Sequence, residues 1–114
     1  MKIFDINDMF KGWFIGDFDP AVVKIKDFEL AHHFHEKGYV DKDGPHYHKV
    51  ATEINYIIKG KVIVDDNNYL SSGDIFVYEP YDVSNVKFLE DTELIVTKIP
   101  SAKNDKYLVS EDWK

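Results

Sequence analysis

All five histidines of the chain lie between positions 32 and 48, and two of them, His46 and His48, are two residues apart. Side chains alternate between the two faces of a β-strand, so imidazoles at this spacing project from one face and can converge on one ion. Glu53 follows His48 by five positions, which would place it on the opposite face of a continuous strand. A turn or bulge at residues 49–52, with Glu53 opening the next strand, would return the carboxylate to both histidines. Two imidazoles and one carboxylate are a typical set for a divalent transition metal.

The elements that must position these residues are predicted to be almost entirely β-strands. Segments rich in Val, Ile, Phe and Tyr are short, and none repeats apolar residues at helical spacing for three turns. Only Asp5–Lys11 is expected to form a helical turn. Turns rich in Gly, Asn and Asp are expected at 41–45, 65–68 and 71–74. The predicted strands are Trp13–Ile15, Val22–Lys26, Phe28–His35, His46–Lys49, Glu53–Lys59, Lys61–Asp65, Ile75–Glu79, Ser84–Phe88 and Leu94–Lys98.

The spacing His46-x-His48-x4-Glu53-x6-Gly60 resembles the first sequence motif of the cupins. The wider stretch from residues 11–18 through residues 105–107 is also similar to small bacterial and phage single-domain cupins. The resemblance implies an antiparallel, all-β fold, the cupin-type double-stranded β-helix or jelly-roll barrel, which agrees with the predicted strands. It also implies a metal held by two histidines, one glutamate and a third histidine from a second motif.

The second cupin motif is poorly matched. Its usual form runs Gly, five residues, Pro, one residue, Gly, two residues, His, whereas here six residues separate Gly73 from Pro80. Asp82 stands in place of the second glycine, and Asn85 occupies the position of the fourth ligand. An amide oxygen is a harder and weaker ligand than imidazole for a transition metal. We therefore expect Asn85 either to complete a metal site or to lie at the barrel rim, bonded to backbone.

Strand alternation also divides the segment Phe28–His35 between two faces. Phe28, Leu30, His32 and Phe34 share one face, and Glu29, Ala31, His33 and His35 share the other. If the aromatic face is the core, His32 alone points into the barrel and is a candidate replacement for the missing ligand. The alternatives for His32 are a hydrogen-bonded core histidine or a solvated one. His33 and His35 are then expected at the surface.

Composition limits the partners of the protein. Its 114 residues suit one domain spanning residues 1–114, and 14 basic against 21 acidic residues give a net charge of −7, which disfavours nucleic acid and anionic membranes. No cysteine is present, so disulfides, thiolate metal sites and cysteine nucleophiles are excluded. All the basic residues are lysines, and no Gly-x-Ser-x-Gly or phosphate-binding loop occurs.

The sequence also allows predictions of the cellular location and of the oligomeric state. Acids interrupt the N-terminus, Met1–Asp8, where a signal peptide requires apolar residues, and no run approaches ~18 apolar residues, so we expect a cytoplasmic protein. The polar C-terminus, Ser101–Lys114, is expected to cover the barrel or to fray. Cupin resemblance implies a homodimer in which one barrel's sheet packs on its twin, with Trp13 and Phe14 at the boundary or packed within their own chain.

Aromatic residues make up 15% of the chain, and filling a small core accounts for most of them. A ligand pocket with an aromatic wall would suit a sugar ring or a flat acid. Candidates for such a wall, which lie on strands flanking the histidines, are Tyr56, Phe76, Tyr78 and Phe88. The lysines, including Lys98 and Lys106, are expected on the solvated exterior.

Three functions fit these residues. The first is a cupin enzyme with Fe, Mn, Ni or Zn at His46, His48 and Glu53, acting on a small polar molecule as an isomerase, lyase or dioxygenase. No catalytic residue is assigned, because Glu53 is itself a ligand. The second is a non-catalytic cupin that binds a sugar or small acid, which the altered second motif favours. The third is a metal-independent sugar-nucleotide epimerase or isomerase, which two inward lysines near His46 would favour and the lack of arginine disfavours.

Overall fold

Alternating apolar and polar residues form ten strands in the computed structural model, which describes residues 1–109. A short 3-10 helix, Ile6–Asp8, lies inside the predicted helical turn. No helix in the described residues is long and apolar enough to cross a membrane. The strands are β1 Trp13–Ile15, β2 Glu29–His35, β3 His46–Tyr47, β4 Thr52–Lys59, β5 Lys61–Val64, β6 Asn68–Ser71, β7 Ile75–Tyr78, β8 Val86–Phe88, β9 Thr92–Ile99 and β10 Tyr107–Leu108.

The strands form three sheets whose strands pair antiparallel, with the orders β1-β2-β9-β4-β7, β6-β5-β8 and β10-β3. In the five-stranded sheet, Ala31, Val96, Asn55 and Phe76 lie directly opposite one another across β2, β9, β4 and β7, so their side chains share one face. This face is the inner one, because Ala31, Asn55 and Val96 are buried. The apolar core joins it to β5 through Ile57, Val62, Val64, Tyr78, Leu94 and Val96.

The two-stranded sheet closes the end of the barrel that carries His46. Tyr47 pairs with Tyr107 and His46 pairs with Leu108, so the C-terminal segment lies beside β3. The rings of Tyr47 and Tyr107 stack with their centroids 5.6 Å apart. Part of the predicted C-terminal cover is therefore a strand, and residues 110–114 lie outside the described part of the chain.

The predicted all-β, antiparallel cupin architecture is confirmed, with local corrections. The predicted strand Val22–Lys26 is wrong, because only Val23 forms a single bridge, to Ile15. β6 and β10 were not predicted, since β6 is largely exposed and lacks an apolar face, while β10 has only two residues. Short edge strands form because they pair with a neighbouring strand, and their own residues show little preference for strand structure.

Gly60 makes the tight connection between β4 and β5 and offers a test of the fold. Its φ is 112°, and a Cβ there would lie 2.4 Å from Thr92 Oγ1 and 2.6 Å from the Asp91 carbonyl oxygen. We expect Gly60→Ala to lower the free energy of unfolding by more than about 3 kcal/mol, because strain and overlap with backbone combine. Gly73→Ala is the control, since Gly73 has a φ of 92° but open space around it. Urea denaturation should show a smaller loss, about 1–2 kcal/mol, for Gly73→Ala; equal losses would contradict the close approach at Gly60.

Candidate metal centre

The structure brings together the three residues that the spacing singled out. His46 lies on β3, His48 follows it, and Glu53 lies at the start of β4. One ligand atom from each residue lies within 4.8 Å of those from the other two. His48 is buried with 5% exposure, and the Glu53 side chain is 13% exposed. The connection between β3 and β4 makes this possible. His48 and Glu53 would lie on opposite faces of one continuous strand, but the connection leads from the two-stranded sheet into the five-stranded sheet and removes that restriction.

The His48 ring is oriented by a backbone carbonyl. Its Nδ1 donates a hydrogen bond to the Asp105 carbonyl oxygen, which can only accept, so Nδ1 carries a proton. In neutral His48 the lone pair is then on Nε2, which lies 3.4 Å from the Glu53 carboxylate oxygen Oε1. Two acceptors facing each other require either a second proton on the ring or a cation between them. Ligands about 2.1 Å from one ion lie roughly 3.0 to 3.4 Å apart at angles of about 90 to 109°, so the spacing suits a shared metal ion.

Asp105 also holds the turn that carries His48. Its carboxylate accepts hydrogen bonds from three consecutive backbone N–H groups, those of Lys49, Val50 and Ala51, at 2.8 to 3.2 Å. Asp105 is buried with 8% exposure, so these charge-assisted bonds are shielded from water. One residue thus fixes both the backbone after His48 and the direction of its imidazole. No local pattern predicts this role, because Asp105 lies 57 positions after His48.

His46 is oriented by Ser84, and Asn85 is turned elsewhere. Ser84 Oγ lies 3.1 Å from His46 Nδ1, and when that nitrogen carries the proton, Nε2 keeps its lone pair. The Asn85 side-chain amide donates to Asp66 at 3.3 Å, and its backbone N–H donates to the Tyr78 hydroxyl at 3.1 Å. No hydrogen bond joins Asn85 to either histidine within residues 1–109. The amide nitrogen of Asn85 is thus directed at Asp66, and the use of its amide oxygen as a metal ligand stays a prediction.

The electrostatic environment keeps the cluster ready for a cation. Burial raises the pKa of Glu53, but the contact with His48 and the positive charge of Lys98 outweigh it and hold this pKa at about 2. Burial, assisted by the charge of Lys106, lowers the pKa of His46. An ionised carboxylate and an unprotonated imidazole are the forms in which these side chains bind metals.

The prediction for β2 has the wrong face inside. Ala31 is fully buried and Phe34 is 59% exposed, so the face of Ala31, His33 and His35 is the inner one. His32 lies on the outer face, where its Nε2 contacts Glu93 Oε2 at 2.9 Å, and it is not a member of the cluster. The aromatic Phe34 does not mark the core, because the outer face of this sheet is itself rich in apolar residues.

The two inward histidines of β2 enlarge the polar interior. The His33 ring contacts Trp13 edge-on at 5.4 Å, and burial lowers the pKa of His33 to about 4. The His35 ring stacks on Tyr39 at 4.2 Å, and burial lowers its pKa too. Both imidazoles are therefore neutral at pH 7, and neither is the surface residue that strand parity predicted.

Three of the four proposed wall residues face inward. Phe76 and Tyr78 lie on the inner face of β7, and Phe88 contacts His35 with ring centroids 4.8 Å apart. All three pack in or against the apolar core. Tyr56 is different, because it lies on the outer face and is 43% exposed. The assignment of Tyr56 to an interior ligand wall is therefore wrong.

The expectation that all lysines are solvated fails at Lys98. Lys98 lies on β9 directly opposite Glu29 and Glu53, and its side chain is only 19% exposed. Lys106, by contrast, is 41% exposed and contacts two surface carboxylates on the loop before β3, those of Asp41 and Asp43, each at 3.4 Å. Only one of these two lysines points inward, whereas a sugar-nucleotide site is expected to need two inward lysines near His46.

Replacing Asp105 tests its hold on the turn. Because one buried and two part-buried N–H groups would lose a charged acceptor, we expect Asp105→Ala to lower the free energy of unfolding by about 2–4 kcal/mol. Asp82→Ala is the control, since Asp82 accepts one exposed N–H, from Glu79 at 2.9 Å, and should cost about 1 kcal/mol or less. Both are measured by urea denaturation, and similar losses would contradict the special role of Asp105.

The comparisons with known proteins agree with this architecture. No family model and no curated protein sequence matches the chain. Among solved structures, KdgF from Halomonas sp. is similar with a TM-score of 0.61 and 25% identity, over 73% of this chain and 79% of that one. A cupin protein from Bacteroides fragilis is similar with a TM-score of 0.58 and 18% identity, over 73% and 74%.

A third similar structure comes from a study of the Mn(II) centres in Bacillus subtilis oxalate decarboxylase. Its TM-score is 0.60 with 18% identity, and the match covers 75% of this chain but 25% of that longer one. The strands, their antiparallel pairing and these neighbours lead to one assignment. The chain has the cupin fold.

Proposed function

We propose that His46, His48 and Glu53 hold one divalent transition metal ion and that the protein acts on a small polar molecule at this ion. The observation that carries the proposal is the 3.4 Å approach of His48 Nε2 to Glu53 Oε1, with His48 Nδ1 already committed to a carbonyl. A metal ion would take the place of the second ring proton. Fe, Mn, Ni and Zn all accept two imidazoles and one carboxylate, and the Mn(II) centres of oxalate decarboxylase support manganese among them.

The bound ion would supply Lewis acidity and open coordination positions for a substrate oxygen. The protein's own part is to orient the ligands: the Asp105 carbonyl and Ser84 hold the two rings, and Asn55 donates to Glu53 Oε2 at 3.1 Å. Isomerase, lyase and dioxygenase chemistry are all compatible with such a site. No residue is assigned as a catalytic acid or base.

A non-catalytic cupin that binds a sugar or small acid is the second candidate, and it is favoured by Asn85 turning to Asp66. A site with three protein ligands could serve binding alone. This candidate would be favoured if small acids bind saturably to the protein and none of those tested is turned over. A single domain spanning residues 1–114, a cytoplasmic location and the absence of nucleic-acid and membrane partners stay predictions from the sequence.

Metal analysis tests the proposed centre. Tag-free protein purified without added metal, and protein incubated with Fe, Mn, Ni or Zn and then desalted, should contain close to one ion per chain for wild type. We expect His46→Ala to lose at least about tenfold in metal affinity, because one of three ligands is gone. His32→Ala is the matched control, since His32 pairs with Glu93 on the outer face. Wild type without metal under every condition, or equal losses in both variants, would contradict the centre.

We also propose that the outer face of the five-stranded sheet is covered by a second copy of the chain. Two adjacent rows on this face, Leu30-Thr97-Ile54-Val77 and His32-Ile95-Tyr56-Ile75, carry no lysine, aspartate or glutamate. Ile75 and Phe34 are each 59% exposed there. Copies with a net charge of −7 repel one another, so a flat, mostly apolar face is where two of them can meet. Trp13 does not contribute, because it packs inside its own chain.

Sedimentation tests the dimer. Tyr56→Glu places a charge in the middle of the proposed contact and should convert a wild-type dimer to a monomer at micromolar concentration. Tyr69→Glu is the control, because Tyr69 is 71% exposed on β6, outside this face. A monomeric wild type, or a Tyr56→Glu variant that sediments as wild type, would contradict the proposed interface.

A further inference from the structure

Lys98 is the inward cation of the barrel and stands next to the proposed metal centre. The strand register places Glu29, Lys98 and Glu53 directly opposite one another on β2, β9 and β4. An ammonium in this partly buried position needs acceptors for its three N–H groups, from the protein, from water or from a ligand.

Within residues 1–109, the protein itself supplies few of these acceptors to Lys98. Its Nζ lies 3.7 Å from Glu29 Oε1, which is an ion pair longer than a hydrogen bond, and 4.9 Å from the centroid of the Trp13 ring. Glu29 is partly used elsewhere, because Ser101 Oγ donates to its Oε2 at 3.0 Å. The Lys98 ammonium is thus held in place by charge and by an aromatic face, while its hydrogen-bond donors stay available to a ligand.

A cavity of about 220 Å³ opens beside the ammonium. Its lining combines three aromatic rings with charged groups: Phe10, Trp13, Phe18, Asp19, Glu29 and Lys98. Lys98 lies between Glu29, which lines this cavity, and Glu53, which belongs to the metal centre. The side chain of Lys98 is therefore what separates the cavity from the metal centre. A molecule of a few heavy atoms could contact the ammonium and the ion together.

The charges define what such a molecule should be. Asp19, which also lines the cavity, is paired with Lys24 at 3.0 Å and adds no net charge. With a divalent ion bound and the imidazoles neutral, the ion and Lys98 then exceed Glu29 and Glu53 by one positive charge. One carboxylate would balance this excess. A doubly charged phosphate would overshoot it beside two buried carboxylates, and the chain has no arginine to clamp one.

We propose that Lys98, supported by Trp13 and Glu29, is the anion-binding group of this pocket, and that the ligand is a small organic acid. Its carboxylate contacts Lys98 Nζ, and an oxygen at its other end reaches the metal ion. The proposal rests on the metal centre proposed above and gives it a class of substrate.

Calorimetric titration with 3-hydroxypropanoate, a singly charged acid with a hydroxyl oxygen at its other end, tests the proposal after the metal content of every protein has been measured. Lys98→Met removes the charge at similar length, and we expect unchanged metal content with binding of this acid weakened about 10- to 100-fold. Glu29→Gln removes the competing carboxylate and should strengthen its binding several-fold; it also serves if Lys98→Met does not fold. Lys87→Met is the matched control, because Lys87 is 64% exposed on β8 and should bind the acid as wild type does. The corresponding amide, uncharged and of similar shape, should not bind.

The outcomes separate the two proposals. If metal-loaded wild type and Lys98→Met bind 3-hydroxypropanoate equally, or if Glu29→Gln binds it more weakly than wild type, the anion site is overturned and the metal centre stands. Tighter binding of inorganic phosphate than of 3-hydroxypropanoate would overturn the carboxylate assignment. Wild type that takes up no metal would overturn the metal centre. In that metal-free protein, binding of the acid that depends on Lys98 would still support the anion site, and binding independent of Lys98 would overturn it.

Discussion

The hydrogen bonds of Asp105 are the constraint on which the histidine site depends. The turn from β3 to β4 must bring Glu53 back to His48, and this leaves three consecutive backbone N–H groups without a strand partner. The buried carboxylate of Asp105 accepts all three, and the carbonyl of the same residue receives the His48 ring proton. Because β10 follows at once and pairs with β3, the C-terminal segment both closes the barrel and aims the imidazole.

Charge inside the barrel is arranged as a line rather than as isolated pairs. Glu29, Lys98 and Glu53 occupy neighbouring positions across three strands, and His48 continues the line beyond Glu53. Each buried charge would be costly alone, and neighbours of opposite sign reduce that cost. A small core of this kind has little stability to spare for polar groups without a role, which is why we propose a binding role for this line.

Sequence reasoning succeeded where the relevant distances are short along the chain. The spacing of His46 and His48 within one strand, and of Glu53 across one turn, was enough to predict that their side chains meet. It failed for β2, because alternation reveals two faces but not which one is buried when both carry apolar residues. Phe34 suggested the wrong face, and this one error displaced His32, His33 and His35 together. The prediction that Lys98 is solvated failed for a similar reason, since a lysine in a strand usually lies on the solvent-exposed face.

The sequence by itself determined the all-β class, the cupin resemblance and the grouping of two imidazoles with one carboxylate, because strand periodicity and local spacing are properties of neighbouring residues. Only the tertiary structure decided which face of each strand is interior, and which remote groups complete the site. Asp105 is 57 positions from His48, and Lys98 reaches Glu53 only through the pairing of β9 with β4. Such contacts follow from how sheets pair and close, which no local pattern specifies.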